Sequence, residues 1–336
     1  NVTVVHLLDT LMERQLDQVA GGLLRKSLEE RGMVFKMPAQ TQAILGEDRV
    51  TAKHDTRRSP IDQRRVLGHF SLATVDDVND AMAAAQAALL GWRATPMEER
   101  VRSLKRVAAL IEERVYDIGA AMSLEVGKNR MEALGEVQET ADFFNLYADD
   151  YAGHNGFDNP LPDDPLPDFR SHNRSVMKPY GVWVVIAPYN FPFALAGGPV
   201  AAALITGNTV VLKTATDTPW SGRLLADCIR DAGLPRGVFN YLNGGGSVVG
   251  EALLNHPNTA GITFTGSVDV GMHIYRTMAS GVYPRPCIAE MGGKNPALVS
   301  RHANLEDAAT GIVRSAFGLQ GQKCSANSRI IVEAPV

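Results

Sequence analysis

The sequence predicts an α/β protein whose centre is an open, mainly parallel sheet with helices on its faces. Short β-branched runs follow Gly181, namely "VWVVIAP", "TVVLK", "VFNYL" and "GITFTG", and such runs are typical of strands. Stretches with helical spacing separate these runs, as in successive βαβ units. The length of 336 residues allows about two domains of ordinary size.

The first fifty residues have a strand–helix–strand pattern of their own. "VTVVHL" indicates a strand, "QVAGGLLRKSLEERG" has helical spacing, and "TQAILGEDRV" has extended character. The charged segment "KHDTRRSPIDQRR", which contains a proline, then predicts a linker.

Amphipathic helices are predicted between Thr74 and about residue 150. Thr74 precedes a run with helical apolar spacing. Thr95, Pro96 and Glu98 predict a capping box, with proline in the first position of a helix through Ile111. "RMEALGEVQETADFFNLYADD" continues the helical pattern until "FDNPLPDDPLPDF" ends it, and "SHNRSVMKPY" predicts an edge strand or hairpin arm.

Composition excludes several classes of function. A formal net charge of −4 indicates no basic surface for nucleic acid. Apolar runs such as "FALAGGPVAAALITG" are shorter than the ~20 residues that span a bilayer, and no secretory pattern is present. With three cysteines and no CxxC spacing, we expect neither a disulfide framework nor a metal site. The expected location is cytoplasmic.

Ligands of open parallel sheets lie beyond the carboxyl ends of the strands. The candidates for a site are therefore the residues just after each strand: 188–190, Lys213, 243–246, 266–267 and 290–292. Gly266 and Ser267 follow a strand and open a predicted helix, whose free N–H groups suit a phosphate. Simpler interpretations remain open for Asn190 as a turn residue, for Lys213 and Glu290 as solvated charges, and for "NGGGSVVG" as an ordinary turn.

Cys324 differs from the other two cysteines in its surroundings. Cys228 in "LLADCIRDAG" and Cys287 in "PCIAEMG" occupy positions typical of a core. Cys324 lies in the polar segment "FGLQGQKCSANSR". The segment alone leaves open a nucleophile, a metal ligand or a small core residue.

The joint order of these motifs resembles the aldehyde dehydrogenase superfamily from about residue 55 onward. "APYNFP", "TVVLK", "ITFTGS", "EMGGKNP" and "GQKCSA" occur in the family's order, with Glu290 and Cys324 34 residues apart. "FGLQGQKCSANSR" with the upstream "ANLEDAA" is most similar to the 1-pyrroline-5-carboxylate dehydrogenase branch, which oxidises glutamate γ-semialdehyde. The resemblance implies an aldehyde dehydrogenase-like fold with a Rossmann-type sheet, a cofactor domain over residues 55–288, and a truncated catalytic domain over residues 289–336.

The resemblance implies NAD(P)-dependent oxidation of an aldehyde to a carboxylate. Cys324 is the implied nucleophile, since a thiolate must add to the aldehyde before hydride can leave. Asn190, with the Cys324 backbone N–H, is expected to stabilise the oxyanion. Glu290, which we expect to be buried, would activate the water that hydrolyses the thioester. Lys323 with Ser325 suits the carboxylate of an amino-acid semialdehyde, and a solvent-facing Lys323 is the alternative.

The implied cofactor is NAD or NADP. Lys213 is expected to bond the ribose, and Gly266 and Ser267 to lie beside the pyrophosphate. Thr216 stands where the family often has an acid that holds the ribose hydroxyls, so the choice between the two cofactors stays open. The implied cofactor residues are Ile186, Pro188, Tyr189, Lys213, Thr216, Gly246, Gly250, Phe264, Gly266, Ser267, Met291 and Gly292.

Residues 1–50 resemble part of another family. "HLLDTLMERQLDQVAGGLL" is similar to the pyridine-nucleotide domain in the large subunit of NAD(P)H nitrite reductases, without the glycine-rich turn that such a domain uses for pyrophosphate. Aldehyde dehydrogenases continue well beyond the nucleophile motif. We therefore expect a fused or incomplete chain.

Two alternatives to an active dehydrogenase stay open. One is an inactive fragment that at most binds dinucleotide, and the other is a fragment of an FAD-dependent NAD(P)H reductase. A thiolase-like or protease-like cysteine enzyme is disfavoured, because none of the eight histidines lies in a motif suggestive of a base. The expected partner is a small-molecule aldehyde, without nucleic acid or membrane, and a homo-oligomer is expected only for an intact full-length chain.

Overall fold

In the described part of the chain, five parallel strands form the centre of the sheet, and the sequence predicts such a mainly parallel sheet. The computed structural model describes residues 3–5, 34–36, 43–45, 47–165, 168, 170–334 and 336. These strands are β9 (Val182–Ile186), β10 (Thr209–Lys213), β11 (Phe239–Leu242), β12 (Thr259–Thr265) and β13 (Cys287–Glu290). Their order in the sheet is β13-β12-β9-β10-β11, and neighbouring strands pair in parallel. The predicted domain boundary at residue 288 thus falls inside β13, and the domain division stays a prediction.

An antiparallel hairpin extends this sheet beyond β11. β3 (Ala43–Leu45) pairs with β11 at Ile44 and Tyr241, and β4 (Glu47–Arg49) pairs with β3. Part of the first fifty residues therefore belongs to the same sheet as the strands after residue 181. β1 (Thr3–Val5) and β2 (Val34–Lys36) form a separate parallel pair. The helix predicted over "QVAGGLLRKSLEERG" lies outside the described residues.

Helices pack on both faces of the sheet. Among the described residues, four helices precede β9: α1 (Val75–Ala94), α2 (Met97–Glu113), α3 (Val115–Val126) and α4 (Arg130–Gly153). Four more connect the parallel strands: α5 (Ala194–Ile205), α6 (Pro219–Asp231), α7 (Glu251–Asn255) and α8 (Val268–Ala279). None of the described helices is long and apolar enough to cross a membrane.

The two predicted helix starts have different outcomes. Thr74 forms a capping box with Asp77 at the start of α1, as the amphipathic run indicates. The capping box predicted at Thr95 is wrong, because α2 begins after Pro96 without a side-chain cap. The Thr95 hydroxyl instead donates to the Gly91 carbonyl oxygen at 3.1 Å. Thr95 is the C-cap of α1, so its hydroxyl bonds to the end of α1 and does not cap α2.

Two buried apolar clusters cover the two faces of the sheet. Val210 and Leu212 of β10 belong to one cluster, which includes residues of α2 to α6. Val211 belongs to the other, with residues of α1, α7 and α8. Successive side chains of a strand point to opposite faces, and burial on both faces explains the uninterrupted apolar run in "TVVLK".

Smaller two-stranded sheets lie around this centre. β5 (His54–Arg58) pairs with β6 (Val66–Ser71), so the linker prediction for "KHDTRRSPIDQRR" is wrong where β5 lies. The Thr56 hydroxyl bonds to the His69 ring at 2.9 Å across this hairpin. β7 (Asp158–Pro160) and β8 (Arg174–Val176) pair antiparallel, which confirms the predicted hairpin arm. β14 (Asn295–Val299) and β15 (Asn327–Val332) pair in parallel, with α9 (Leu305–Phe317) between them.

Candidate active site

The parallel register brings the predicted strand-end residues to one edge of the sheet. Ile186 pairs with Lys213 on one side and with Phe264 on the other. Glu290 is the partner of the residue after Phe264, and the Gly266 N–H donates to the Glu290 carbonyl oxygen at 3.0 Å. The ends of four strands thus lie side by side, in the place that the topology predicts.

Lys213 is buried at the end of β10. Only 4% of the residue is exposed, and its ammonium donates to the Thr214 carbonyl oxygen at 2.9 Å. Burial lowers the pKa of Lys213 to about 8, and no carboxylate among the described side chains pairs with it. The interpretation as a solvated charge is therefore wrong. Burial of an ammonium without a counter-charge is costly, so a polar ligand at this sheet edge would stabilise Lys213.

The turn after β12 leads into the exposed N-terminus of α8. Ser267 is the N-cap of α8 and its hydroxyl accepts from the Val270 N–H at 3.4 Å. Gly266 lies so close to the Phe264 ring that an added Cβ would be 2.5 Å from it, so the ring leaves room only for glycine. Free N–H groups at such a helix start favour an anion, and Ser267 is exposed.

The remaining predicted cofactor residues are distributed around this edge. Gly246 begins a short π-helical turn that ends at Gly250, and nothing lies within 4 Å of a Cβ added at Gly246. Thr216 is half-buried after β10. After β13, Met291 packs against Gly271 of α8, and Gly292 is exposed. Pro188 is buried in the loop after β9.

The loop that carries Asn190 contacts the loop that carries Cys324. The Asn190 side-chain amide donates to the Gln322 carbonyl oxygen at 2.7 Å. The Tyr189 hydroxyl donates to the Gln322 side-chain carbonyl at 3.1 Å. Gln322 precedes Cys324 by two residues. The predicted oxyanion donor and the predicted nucleophile therefore lie on two loops that are hydrogen-bonded to each other.

The segment after Glu290 also reaches the Cys324 loop. The Asn295 side-chain amide donates to the Cys324 carbonyl oxygen at 2.7 Å. A Cβ added at Gly293 would lie 3.1 Å from the same oxygen. Cys324 itself is exposed. The two predicted catalytic motifs, "EMGGKNP" and "GQKCSA", thus come together in space.

Glu290 is exposed, so the expectation that it is buried is wrong. β13 is an edge strand with β12 as its sheet neighbour, and its residues alternate between half-buried and exposed. Cys287 and Ala289 pack against the apolar cluster. Since side chains alternate along a strand, Glu290 falls on the exposed face of β13.

Lys323 and Ser325 flank Cys324 in different surroundings. Lys323 is half-buried, and its ammonium lies against Gly318 and 6.0 Å from the centre of the Phe191 ring. This position does not match the solvent-facing alternative. Ser325 is exposed.

A left-handed turn precedes Cys324. Leu319, Gln320 and Gly321 have φ angles of 48°, 54° and 76°, in the region that only glycine adopts freely. Leu319 is 2% exposed, and its N–H donates to the Glu132 carboxylate at 2.8 Å. The sequence analysis did not identify this turn, for which Gly321 is the one signal.

Two buried glutamates near the site were also missed. Glu125, at the end of α3, accepts from the Trp220 and Ser221 N–H groups at 2.7 and 2.8 Å, and burial raises its pKa to about 7. Glu136 of α4 pairs with Lys128, and burial raises the pKa of Glu136. Each glutamate lies on the buried, mainly apolar face of its helix. An acidic residue at an apolar position of the helical pattern is the sequence signal that could have identified its burial.

Fold and site together define an α/β protein with a cysteine loop beside the carboxyl ends of a parallel sheet. The chain belongs to the aldehyde dehydrogenase family, whose model matches residues 50–336. This confirms the predicted family and fold. The described residues contain no group of His, Cys, Asp and Glu side chains that could hold a metal ion.

Curated relatives are named 1-pyrroline-5-carboxylate dehydrogenase. The protein from Geobacillus sp. (strain WCH70) is 40% identical over 316 residues, which cover 92% of this chain and 60% of the relative. The protein from Anoxybacillus flavithermus is 41% identical over 305 residues, with 89% and 57% covered. The chain thus spans about 60% of the length of these relatives.

Solved structures of the family are similar throughout the matched part. The 1-pyrroline-5-carboxylate dehydrogenase from Thermus with bound NAD has a TM-score of 0.82 and 35% identity, covering 93% of this chain and 59% of that one. The NADP-dependent glyceraldehyde-3-phosphate dehydrogenase from Bacillus halodurans complexed with NADP has a TM-score of 0.81 and 35% identity, covering 88% and 61%.

A second family model matches the start of the chain. The pyridine nucleotide-disulphide oxidoreductase model matches residues 1–56, which confirms the second resemblance at the level of this family. The reductase alternative accounts for those residues only, whereas the aldehyde dehydrogenase match covers most of the chain.

Proposed function

We propose that this chain carries the groups of an NAD(P)-dependent aldehyde dehydrogenase that oxidises its substrate through a cysteine thioester. The observation that carries the proposal is the bond of 2.7 Å between the Asn190 amide and the Gln322 carbonyl oxygen. This bond joins the loop of the proposed oxyanion donor to the loop of the proposed nucleophile, and acyl chemistry requires such groups together.

The thiolate of Cys324 adds to the aldehyde carbon, and a tetrahedral oxyanion forms. A side-chain amide has two N–H donors, so Asn190 bonds Gln322 with one and is able to donate the other to the oxyanion. The Cys324 backbone N–H is the second proposed donor. Removal of one such donor costs about 10²–10³ in kcat in comparable sites. Collapse of the oxyanion would expel hydride from the same carbon toward a bound dinucleotide and leave a thioester on Cys324. Glu290 takes the proton of the water that hydrolyses this thioester.

The sheet edge fits NAD or NADP. Lys213 is a buried ammonium without a carboxylate partner among the described side chains, which suits the ribose hydroxyls. Gly266 and Ser267 at the start of α8 suit the pyrophosphate. When bound, the dinucleotide supplies the acceptor for the hydride. Thr216 offers a hydroxyl in place of a carboxylate, so the choice between NAD and NADP is part of the test.

The proposed substrate is glutamate γ-semialdehyde, oxidised to glutamate. The support is the name of the relatives at about 40% identity and the position of Lys323 next to Cys324. Lys323, with Ser325, is proposed to hold the substrate carboxylate. A cytoplasmic location and a homo-oligomer of the full-length chain stay predictions.

Reduction of NAD⁺ or NADP⁺ in the presence of glutamate γ-semialdehyde tests the proposal. We expect Cys324→Ala to abolish the aldehyde-dependent absorbance of the reduced nicotinamide. The matched control is Cys287→Ala, whose thiol lies in β13, and it retains the rate. Equal rates for Cys324→Ala and the unchanged chain would show that Cys324 is not the nucleophile.

Dinucleotide binding without turnover is the second candidate function. The exposed position of Glu290 favours it, because a general base works best in a site that excludes water. A rise in Tm with NAD⁺ or NADP⁺, together with no aldehyde oxidation, is the result that this candidate predicts.

A further inference from the structure

Helix α4 presents two carboxylates to the two loops of the candidate active site. Glu132 and Glu136 are separated by four residues, which places them on one face of a helix. Lys128 lies four residues before Glu132, next to the N-cap residue Asn129. None of these three side chains belongs to the proposed reaction chemistry.

Glu132 holds the left-handed turn before Cys324. One carboxylate oxygen accepts from the Leu319 N–H at 2.8 Å, and the other accepts from the Asn129 N–H at 3.4 Å. Leu319 and Gln320 have positive φ angles, which cost energy in residues other than glycine and persist only where the surroundings hold them. The bond from Glu132 is such a restraint on the turn.

Glu136 holds the loop that carries Asn190. Its carboxylate accepts from the Phe193 and Ala194 N–H groups at 2.9 and 3.1 Å, at the start of α5. Its ion-pair partner Lys128 lies 3.5 Å from the centre of the Phe191 ring. Glu136 of α4 therefore holds the start of α5 directly, and it holds Phe191, the residue after Asn190, through Lys128.

We propose that Glu132 and Glu136 are positioning residues, which fix the Cys324 loop and the Asn190 loop relative to each other through one rigid helix. The inference rests on the proposed function, since it assigns these loops the nucleophile and the oxyanion donor. The Asn190–Gln322 bond is the contact that this arrangement maintains. A role limited to the capping of α4 would leave that contact unchanged.

Two readouts in the complete chain distinguish these roles. The first is hydrogen exchange of the Leu319 backbone amide, and the second is the NMR signal of the Asn190 side-chain amide. In Glu132→Ala, we expect about tenfold faster exchange at Leu319, because a charge-assisted hydrogen bond is lost. We also expect the Asn190 side-chain signal to shift or broaden. Glu132→Gln, which keeps an acceptor oxygen, is expected to restore both readouts in large part.

Glu139→Ala is the matched control, because Glu139 is an exposed glutamate on the same helix. Unchanged Leu319 exchange and an unchanged Asn190 signal in Glu132→Ala would overturn the proposal, as would equal changes in Glu139→Ala. If Glu132→Ala does not fold, Glu132→Asp gives the same readouts, since it keeps the charge and shortens the reach.

Neither readout requires turnover. A chain that oxidises no aldehyde would therefore contradict the proposed function, while exchange and NMR would still decide the positioning role. Where turnover is measured, Glu132→Ala is expected to lower kcat at least tenfold with KM within about twofold, as for loss of a restraint used in the transition state. A change in KM alone would contradict positioning.

Discussion

Single ionisable residues in the interior of the protein make its folding stability depend on pH. Burial displaces the pKa values of Lys213 and Glu125 toward neutral pH, to about 8 and about 7. Burial disfavours the charged form of each group. Their titration therefore links the candidate site and its supporting helices to measurable stability.

We predict that Lys213→Met stabilises the protein at pH 7 by up to about 3 kcal/mol, because a pKa difference of one between the folded and unfolded states corresponds to about 1.4 kcal/mol. The folded pKa of about 8 is below the ordinary value of 10.5. Between these values the unfolded chain binds more protons, so the stability of the unchanged protein rises with pH and the advantage of the variant shrinks. Urea denaturation at pH 7 and above pH 9 measures this, with exposed Lys53→Met as control. An advantage that does not depend on pH would contradict the prediction.

For Glu125, the change of stability with pH has the opposite sign to that for Lys213. Its folded pKa of about 7 exceeds the ordinary 4.5, so the folded protein binds more protons between these values. The contribution of Glu125 to stability is full below about pH 4.5 and is lost as the pH rises through about 7. In Glu125→Gln, we predict that the fall in stability between about pH 5 and pH 8 becomes smaller. Denaturation curves across this range are the measurement. Parallel profiles for the two proteins would show that Glu125 does not titrate there.

Residue patterns identified Lys213 but not Glu125 or Glu136. Lys213 follows a strand of a predicted parallel sheet, and the family resemblance gave it a role. Glu125 and Glu136 lie within helices, where a charge is ordinarily assigned to the solvent face. Their burial follows from N–H donors of α6 and α5, which are distant in the sequence.

Elements of the fold meet at close contacts that require small residues. α5 approaches α4 at Gly197, where an added Cβ would lie 2.4 Å from the Thr140 side chain. Thr140 is buried and its hydroxyl donates to the Glu136 carbonyl oxygen. The contact therefore couples the helix after the Asn190 loop to the helix that carries the two positioning glutamates.

We predict that Gly197→Ala destabilises the protein by about 1–3 kcal/mol, as overpacking of a core does, although alanine favours a helix. The matched control is Gly135→Ala in α4, where nothing lies within 4 Å of the added Cβ. This control is expected to stabilise by about 0.5–1 kcal/mol. Chemical denaturation compares the two variants. A neutral or stabilising Gly197→Ala would show that α4 and α5 separate easily.

The pattern of β-branched runs predicted the strands because each run is local. Helix starts were less certain: Thr74 caps α1, but Thr95 bonds to the end of α1 instead of starting α2. β5 was missed because its own sequence, "HDTRR", is polar. Its pairing with β6 and the contact of Thr56 with His69 join residues that are not adjacent in the chain.

The whole molecule places its three cysteines at three degrees of exposure. Cys228 is buried, Cys287 is intermediate and Cys324 is exposed. Burial raises the pKa of Cys228 to about 12, which keeps it as an unreactive thiol. The accessibility of each thiol is thus set by a different part of the fold.

In the native protein we predict that iodoacetamide alkylates Cys324 first, Cys287 more slowly, and Cys228 only through global unfolding. Peptide mass spectrometry at successive times gives the three rates. The rate at Cys228 is expected to increase with urea in proportion to the unfolded population. Alkylation of Cys228 as fast as that of Cys324 in the absence of urea would contradict the fold around α6.

The sequence by itself determined the family, the succession of strands along the chain after Gly181 and the order of the motifs, because these depend on residues close together in the chain. Tertiary structure alone decided that Asn190 and Gln322, 132 residues apart, are bonded. It also decided that Lys213 is buried, that Glu290 is exposed, and that a left-handed turn precedes Cys324. These properties depend on which distant side chains and N–H groups surround a residue, and no local pattern contains that information.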